Sequence, residues 1–348
     1  MRRTPAAQAV PALLQAVSDH ADGYVRYRAL VLLTGFSDPR TKDAMREALA
    51  NPNDRLRAVA YSFFEHTPDP MLAPQFLAAL AKEEGEFVRP ALVRALASLG
   101  TGRGLSDPAL QNVRQALVRE VGRGQDYFRS AVIEALGDYK AAYAFDALIA
   151  VTKLDGPLQD DAALALGKIG DKRALETLAT LQRTAPRPGQ PSIAAAICLL
   201  GVNCPTHIGY LVDVLRFAAE NSGFQELVRA AAAALGAIAV AASDEDVRVQ
   251  ALDALFGTGI PSHDPIRAPL ALAIGTTALR HVDLVLARVL HSTNQDGAIQ
   301  LLSEAFDMLE EDFEKERFFM TVRRTYWGAA GETPMRQLAQ TLIGKLDF

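Results

Sequence analysis

The sequence predicts an all-α protein, a right-handed α-solenoid of about eight or nine stacked antiparallel helix pairs. The first observation is a short recurring phrase: an acidic residue, any residue, an aliphatic residue or Phe, and Arg. The second is the apolar spacing after each phrase, as in Ala29, Leu32 and Leu33 after Val25, which is typical of a buried helix stripe. The third is that no segment alternates apolar and polar residues as a strand would.

The phrase opens the second helix of each predicted pair. Its Arg, or the residue that replaces Arg, recurs at intervals of 31, 32, 40, 30, 35, 35, 19 and 19 residues. Two copies keep the apolar frame without the charges, at Leu158-Gln159 and Ile193-Ala194. The two intervals of 19 leave the repeat frame open over residues 226–280. The charged members of the phrases are Arg26, Asp54, Arg57, Glu86, Arg89, Asp126, Arg129, Glu226, Arg229, Glu245, Arg248, Asp264 and Arg267.

A first helix precedes each of these second helices. Asp38-Pro39, Asp69-Pro70 and Asp107-Pro108 combine a capping side chain with proline at the first helical position, and Asp171 predicts a further start. Glycines such as Gly100, which follow the apolar run, predict helix ends. The unit is helix, turn, helix, over roughly 30–40 residues, and such a unit must stack on its neighbours to bury its apolar face.

These phrases, the small residue four positions after the apolar one and the closing Leu-Gly resemble the HEAT-repeat family, in particular its bacterial phycobilisome-lyase-type repeats. The resemblance implies a stacked array over residues 1–280, with 281–348 continuing it as C-terminal repeats or a cap. It also implies a ladder in which each Arg reaches an acid of the neighbouring unit.

Composition indicates a folded, soluble chain. Of 348 residues, 49% are hydrophobic and 22% charged, and the formal net charge is −5. This acidic balance disfavours nucleic acid as the partner. The longest apolar stretch is shorter than a membrane span, and Cys198 and Cys204 are expected to be thiols of a cytoplasmic protein.

The sequence predicts no catalytic residue, no cofactor and no metal ligand. Its six histidines match no metal-binding or catalytic pattern. One class of HEAT enzyme binds iron through His-Glu pairs, whereas Glu65-His66 here has the opposite order. Asp160-Asp161 are adjacent on a helix and cannot face one site, so we expect them in a solvated turn.

The leading functional hypothesis is a non-enzymatic scaffold or adaptor that binds another protein through the concave face of its second helices. A DNA-binding or glycosylase-type repair protein and a lyase-type chaperone subunit remain as alternatives. Tyr and Arg are enriched at interface hot spots. The candidate contact residues are Tyr27, Arg28, Tyr61, Arg94 and Glu134. All but Tyr61 are expected to point outward from second helices, and Tyr61 is expected to border them.

The C-terminal region carries a second candidate. Residues 304–316 include seven acids, and an aromatic and basic stretch follows them. This region fits a polar terminal cap or a second docking site. The candidate docking residues there are Phe318, Arg323, Arg324, Tyr326 and Trp327.

Overall fold

The computed structural model describes residues 5–102 and 106–346. Within these ranges the chain forms twenty α-helices and no β-strand, so the all-α prediction is confirmed. Successive helices pack against each other in pairs, as the repeat pattern predicts. No helix in the described residues combines the length and apolar character that crossing a membrane requires.

The contacts between residues divide the chain into two units. The first comprises residues 1–135 and 312–317, and the second residues 136–311 and 318–348. The helices that begin in the first stretch of unit 1 are α1 (Ala6–Asp19), α2 (Gly23–Leu33), α3 (Pro39–Ala48), α4 (Asp54–His66), α5 (Ala73–Leu80), α6 (Val88–Leu99), α7 (Asp107–Val121) and α8 (Asp126–Asp138).

The remaining helices alternate in the same way between first and second members of a pair. They are α9 (Phe145–Val151), α10 (Pro157–Ile169), α11 (Leu175–Thr184), α12 (Gln190–Leu199), α13 (Cys204–Glu220), α14 (Gln225–Ala241), α15 (Glu245–Gly259), α16 (Arg267–Arg280), α17 (Val282–His291), α18 (Gln295–Met308), α19 (Asp312–Gly328) and α20 (Pro334–Lys345). Even-numbered helices pack on one another, as α10, α12, α14, α16 and α18 do in turn.

The recurring Arg joins the two helices of a pair. Arg26 donates to the carbonyl of Val17 near the end of α1. Arg57 donates to the carbonyls of Asn51 and Pro52 after α3, and Arg129 to that of Val121 at the end of α7. The last carbonyls of a helix have no intrahelical partner. The side chain from the following helix therefore supplies the missing donors, and we call this contact the carbonyl clamp.

The copies that depart from the phrase show what the clamp requires. In α10 the amide of Gln159 replaces Arg and donates to the carbonyls of Thr152 and Leu154, at 2.9 and 2.7 Å. Arg248, in contrast, lies in α15, which is the first helix of its pair, and makes no clamp. Its phrase produces the two intervals of 19 residues. The repeat frame over 226–280 is thereby resolved, with α14 and α16 as second helices.

The predicted ladder forms at three arginines, which reach an acid of the neighbouring repeat: Arg57 to Glu83, Arg89 to Glu120 and Arg267 to Glu304. These three acids lie outside the phrases. The phrase acids Asp54 and Asp126 pair instead with the arginine of their own helix, three residues on. Four more charges of the phrases, Glu226, Arg229, Glu245 and Arg248, form no ion pair in the described residues, and Asp264 accepts from the backbone of Ala268 instead.

Small residues set the spacing between second helices in the second unit. A Cβ added to Gly167 of α10 would lie 2.6 Å from the Cα of Ala196 in α12 and 2.9 Å from its carbonyl oxygen. Gly236 faces Ala273 and Gly275 faces Ala305 in the same way. Backbones approach this closely only where no side chain intervenes. Gly137, inside α8, makes such a contact with Ala165.

Cys198 and Cys204 are joined by a disulfide, so the expectation of two thiols is wrong. Cys198 lies near the end of α12 and Cys204 begins α13. Gly201 and Asn203 between them both have positive φ angles, and two left-handed residues turn the chain back on itself. The turn therefore brings the two Cα atoms to 4.2 Å.

We expect Arg57→Ala and Arg89→Ala each to lower the free energy of unfolding by about 1–3 kcal/mol. Arg57 bonds two carbonyls and the half-buried Glu83, and Arg89 bonds the carbonyls of Leu80 and Glu83 and the buried Glu120, so each change leaves these acceptors without their donor. Chemical denaturation measures this. Arg229→Ala is the control, since Arg229 is exposed and should change stability by about 0.5 kcal/mol or less. Equal effects at the three positions would contradict the clamp.

We expect Gly167→Ala to destabilise the protein by about 1–3 kcal/mol, because its methyl group would collide with the backbone of α12. Gly209 in α13 has no atom within 4 Å of an added Cβ. Gly209→Ala should therefore be neutral or stabilising by up to about 1 kcal/mol, as helix propensity dictates. Thermal unfolding of both variants tests the close approach, and a loss of stability in both would refute it.

Candidate functional site

The phrases of the first unit lie side by side at the N-terminal ends of its second helices. A Cβ added to Gly23 of α2 would be 3.6 Å from Asn53 Nδ2, which precedes α4. One added to Gly85, before α6, would be 3.2 Å from Asp54 Oδ2. The hydroxyl of Tyr127 in α8 donates to the carbonyl of Glu86 at 3.2 Å. The starts of four successive second helices thus form one continuous edge.

The variable second position of the phrase projects into solvent along this edge. Tyr24 is 63% exposed, Phe87 46% and Tyr127 56%, and Arg55 is also exposed. We call Tyr24, Arg55, Phe87 and Tyr127 the edge row. With neighbouring helices about 8–10 Å apart, it spans roughly 25–30 Å. These residues were not among the predicted contact residues, because the residue type at this position varies from one copy of the phrase to the next.

Aromatic rings and guanidinium groups of neighbouring residues pack against the edge row, and acidic side chains lie between its members. The guanidinium of Arg55 lies 5.7 Å above the ring of Tyr27, and the rings of Tyr24 and Tyr27 are 6.2 Å apart. The ring of Phe128, next to Tyr127, faces the guanidinium of Arg89 at 5.1 Å. Exposed carboxylates alternate with the row along the edge. They belong to Asp22, Asp54, Glu86 and Asp126.

Tyr27 does not point outward as predicted, and Tyr61, which was predicted to border the outward residues, is buried as well. They are 4% and 2% exposed, and the ring of Tyr61 packs edge-on against Phe76 at 5.2 Å. Burial raises the pKa of the Tyr61 hydroxyl to about 12. A second helix is enclosed by its own partner and by the second helices on both sides, so its buried arc is wider than the stripe assumed from the sequence.

The other predicted contact residues lie nearer the surface. Arg28 is half-buried and Glu134 exposed, and their role in binding stays a prediction. Arg94, in α6, forms an ion pair with Glu65 of α4, in which its Nε donates to Glu65 Oε1 at 2.9 Å.

The C-terminal candidates divide between core and surface. Phe318 is fully buried and packs on Phe306, with ring centroids 4.8 Å apart, so it cannot be a docking residue. Tyr326 is half-buried beneath the guanidinium of Arg336. Trp327 and Arg324 are exposed and Arg323 is half-buried. The exposed members stay predicted docking residues.

One group of side chains in the first unit could hold a metal ion. Glu65 and His66, at the end of α4, meet Glu314 from the segment 312–317. Each offers one ligand atom, and these atoms lie within 4.8 Å of one another. Glu314 is 248 residues from His66 in sequence, so local spacing carried no signal of the group.

Asp160 does not lie in a solvated turn as expected. It is in the first turn of α10 and half-buried, and a Cβ added to Gly189 would be 2.9 Å from its Oδ1. Burial, and then the charge of Asp161, raises the pKa of Asp160 from 3.8 to about 6.

Family models match two parts of the chain. Residues 10–97 match HEAT repeats, and residues 158–184 match the PBS lyase HEAT-like repeat. The chain contains HEAT repeats. The resemblance inferred from the phrases is thereby confirmed, and the helix pairs α1–α6 account for the longer match. No curated protein matches the chain.

Several solved structures are similar to this HEAT-repeat chain at low identity. An engineered protein is 17% identical over 97% of this chain and 98% of its own, with a TM-score of 0.32. The complex of CpcE and CpcF of phycocyanin lyase from Nostoc sp. is 20% identical over 79% and 97%, with a TM-score of 0.44. Yeast importin-beta (Kap95p) is 12% identical over 97% of this chain and 49% of its own, with a TM-score of 0.42.

We expect Asp160→Asn to stabilise the protein above pH 6.5 by about 1–2 kcal/mol and to have little effect at pH 4. Between pH 4 and 6 the unfolded carboxyl ionises while the folded one stays protonated, so wild-type stability falls as pH rises through this window. Denaturation at pH 4 and pH 7.5 measures the difference. Asp155→Asn, an exposed change in the adjacent loop, controls for the loss of one negative charge. An equal gain at both pH values would contradict the assigned pKa.

Proposed function

We propose that this HEAT-repeat protein is a non-enzymatic scaffold that binds a partner protein along the edge row. The observation that carries the proposal is the exposure of Tyr24, Phe87 and Tyr127 together with Arg55 at equivalent positions of four consecutive repeats. Tyr and Arg are residue types that dominate the energetics of protein interfaces.

The backbone beneath the row favours binding. Each member lies in the first turn of a second helix, or directly before it, and the carbonyl clamp ties that turn to the preceding helix. A clamped turn restricts the backbone that carries these side chains. Binding to pre-positioned aromatic groups loses less conformational entropy than binding to a mobile loop.

The charges along the edge favour a basic partner. Asp22 and Glu86 form no ion pair with an arginine in the described residues, and Asp54 and Asp126 are exposed beside the row. An arginine of the partner could stack on an aromatic ring and pair with the adjacent carboxylate. The same acids oppose a phosphate backbone, so the edge row favours a protein over DNA.

A second candidate is a lyase-type subunit, as the match of residues 158–184 to the PBS lyase HEAT-like repeat suggests. Such a subunit would bind a bilin chromophore. Titration of free bilin with the purified protein separates the two, because a lyase-type subunit would shift the visible absorption of the pigment and the proposed scaffold would not.

We expect the triple variant Tyr24→Ala, Phe87→Ala, Tyr127→Ala to lose at least about tenfold in affinity for the partner, since aromatic anchors contribute about 1–2 kcal/mol or more each. The partner is first isolated with the wild-type chain as bait, identified by mass spectrometry and purified for calorimetry. The melting temperature should stay close to that of wild type, because exposed side chains contribute about 0.5 kcal/mol or less to folding.

Met71→Ala is the matched control, an exposed apolar side chain of the same unit outside the edge row. It should bind the partner as wild type does. Undiminished affinity of the triple variant would place the interface elsewhere. Salt-sensitive binding to duplex DNA, measured at two salt concentrations, would support the alternative of a DNA-binding protein.

A further inference from the structure

We propose that Glu65, His66 and Glu314 bind a divalent transition-metal ion, with Zn²⁺ as the fitting class. All three belong to the first unit, and one ligand atom from each lies within 4.8 Å of the other two. An imidazole with two carboxylates is a ligand set that zinc and similar ions accept, whereas Ca²⁺ and Mg²⁺ prefer oxygen ligands alone.

Burial of the two carboxylates favours a cation. Glu65 is 4% exposed and Glu314 6%. Two carboxylates removed from water in one place repel each other. Arg94 pairs with Glu65 and Arg317 with Glu314, and a divalent ion between the two carboxylates would attract both at once. It would also replace the direct contact that His66 Nε2 makes with Glu314 Oε1.

The surroundings hold the ligands in place and leave a path for the ion. Arg94 donates to Glu65 Oε1 and Arg317 to Glu314 Oε2, both at 2.9 Å. Hydrogen bonds of this kind orient metal ligands and sharpen affinity. The ring of Phe313 stacks on His66 with centroids 5.2 Å apart and planes 9° from parallel. His66 itself is partly exposed, so the ion can enter from its side.

The arginines also set a limit on affinity. Nη1 of Arg317 lies 3.1 and 3.2 Å from the two ring nitrogens of His66. The incoming ion must displace this guanidinium from the ring, and the two cations compete for Glu314. The site is therefore suited to reversible binding in the micromolar range and not to a permanently held structural ion.

Calorimetric titration of the full chain with Zn²⁺ tests the proposal. We expect one ion per chain with a dissociation constant of about 10 µM or below, and no comparable binding of Ca²⁺. The melting temperature should rise with added Zn²⁺ and return to its initial value with EDTA. His66→Ala should weaken binding at least about tenfold, and its partly exposed position makes it compatible with folding.

His291→Ala is the matched control, because His291 is also exposed at the end of a helix but, among the residues that the structure describes, belongs to no cluster of potential metal ligands. It should bind Zn²⁺ as wild type does. Glu314→Gln should weaken binding as His66→Ala does, with helix content checked by circular dichroism. The proposal is overturned if wild type does not saturate at one ion per chain, or if His66→Ala binds as tightly as wild type. The cluster would then be an ion-pair network alone.

The result is independent of the scaffold proposal. His66 ends α4, whereas Arg55 of the edge row lies in the first turn of the same helix. Loss of zinc binding in His66→Ala leaves the edge row intact, and the triple variant of the edge row leaves the three ligands intact. Each proposal can therefore fail alone.

Discussion

The turn between paired helices leaves backbone carbonyls without partners, and in this chain one side chain of the next helix supplies the donors. Because the guanidinium has several N–H groups in a fixed fork, Arg57 can bond two carbonyls, Asp54 and Glu83 at once. The clamp thus links the two helices of a pair and also the next pair. In the second unit the second helices α10, α12, α14, α16 and α18 stack on one another in turn.

The clamp explains which parts of the fold were predictable. The phrase recurs because its Arg has a structural task at each turn, so repeats, helix pairs and the family could be inferred from the residues that perform it. Gln159 makes the clamp although its copy of the phrase has no charged residue, because its amide supplies the donor. Arg248 belongs to a complete copy of the phrase and makes no clamp, since that copy opens a first helix. Only the packing of α14 on α16 distinguishes these cases.

The site was predicted less well, for two physical reasons. Tyr27 and Tyr61 were assigned to the surface from a one-sided helical stripe, whereas a second helix in a stack is enclosed on three sides. The exposed residues of the phrases, such as Tyr24, lie in or directly before the first turn of a second helix, where the neighbouring second helices do not cover them. The contact of His66 with Glu314 depends on where a segment far along the chain returns, and no local pattern encodes that.

The two units use their second helices differently. In the second unit, Gly167 on Ala196 and Gly275 on Ala305 bring the backbones together and leave little side-chain surface between them. In the first unit the second helix α4 carries the bulky buried side chains Tyr61 and Phe64, which pack on Phe76 of the first helix α5, and aromatic groups lie at the starts of the second helices. Close small-residue packing resists local opening because any displacement opens voids, whereas exposed aromatic groups carry an unfavourable hydration that a partner can relieve. Both arrangements rest on the same kind of helix pair, because in each unit a side chain of the second helix bonds carbonyls at the end of the first.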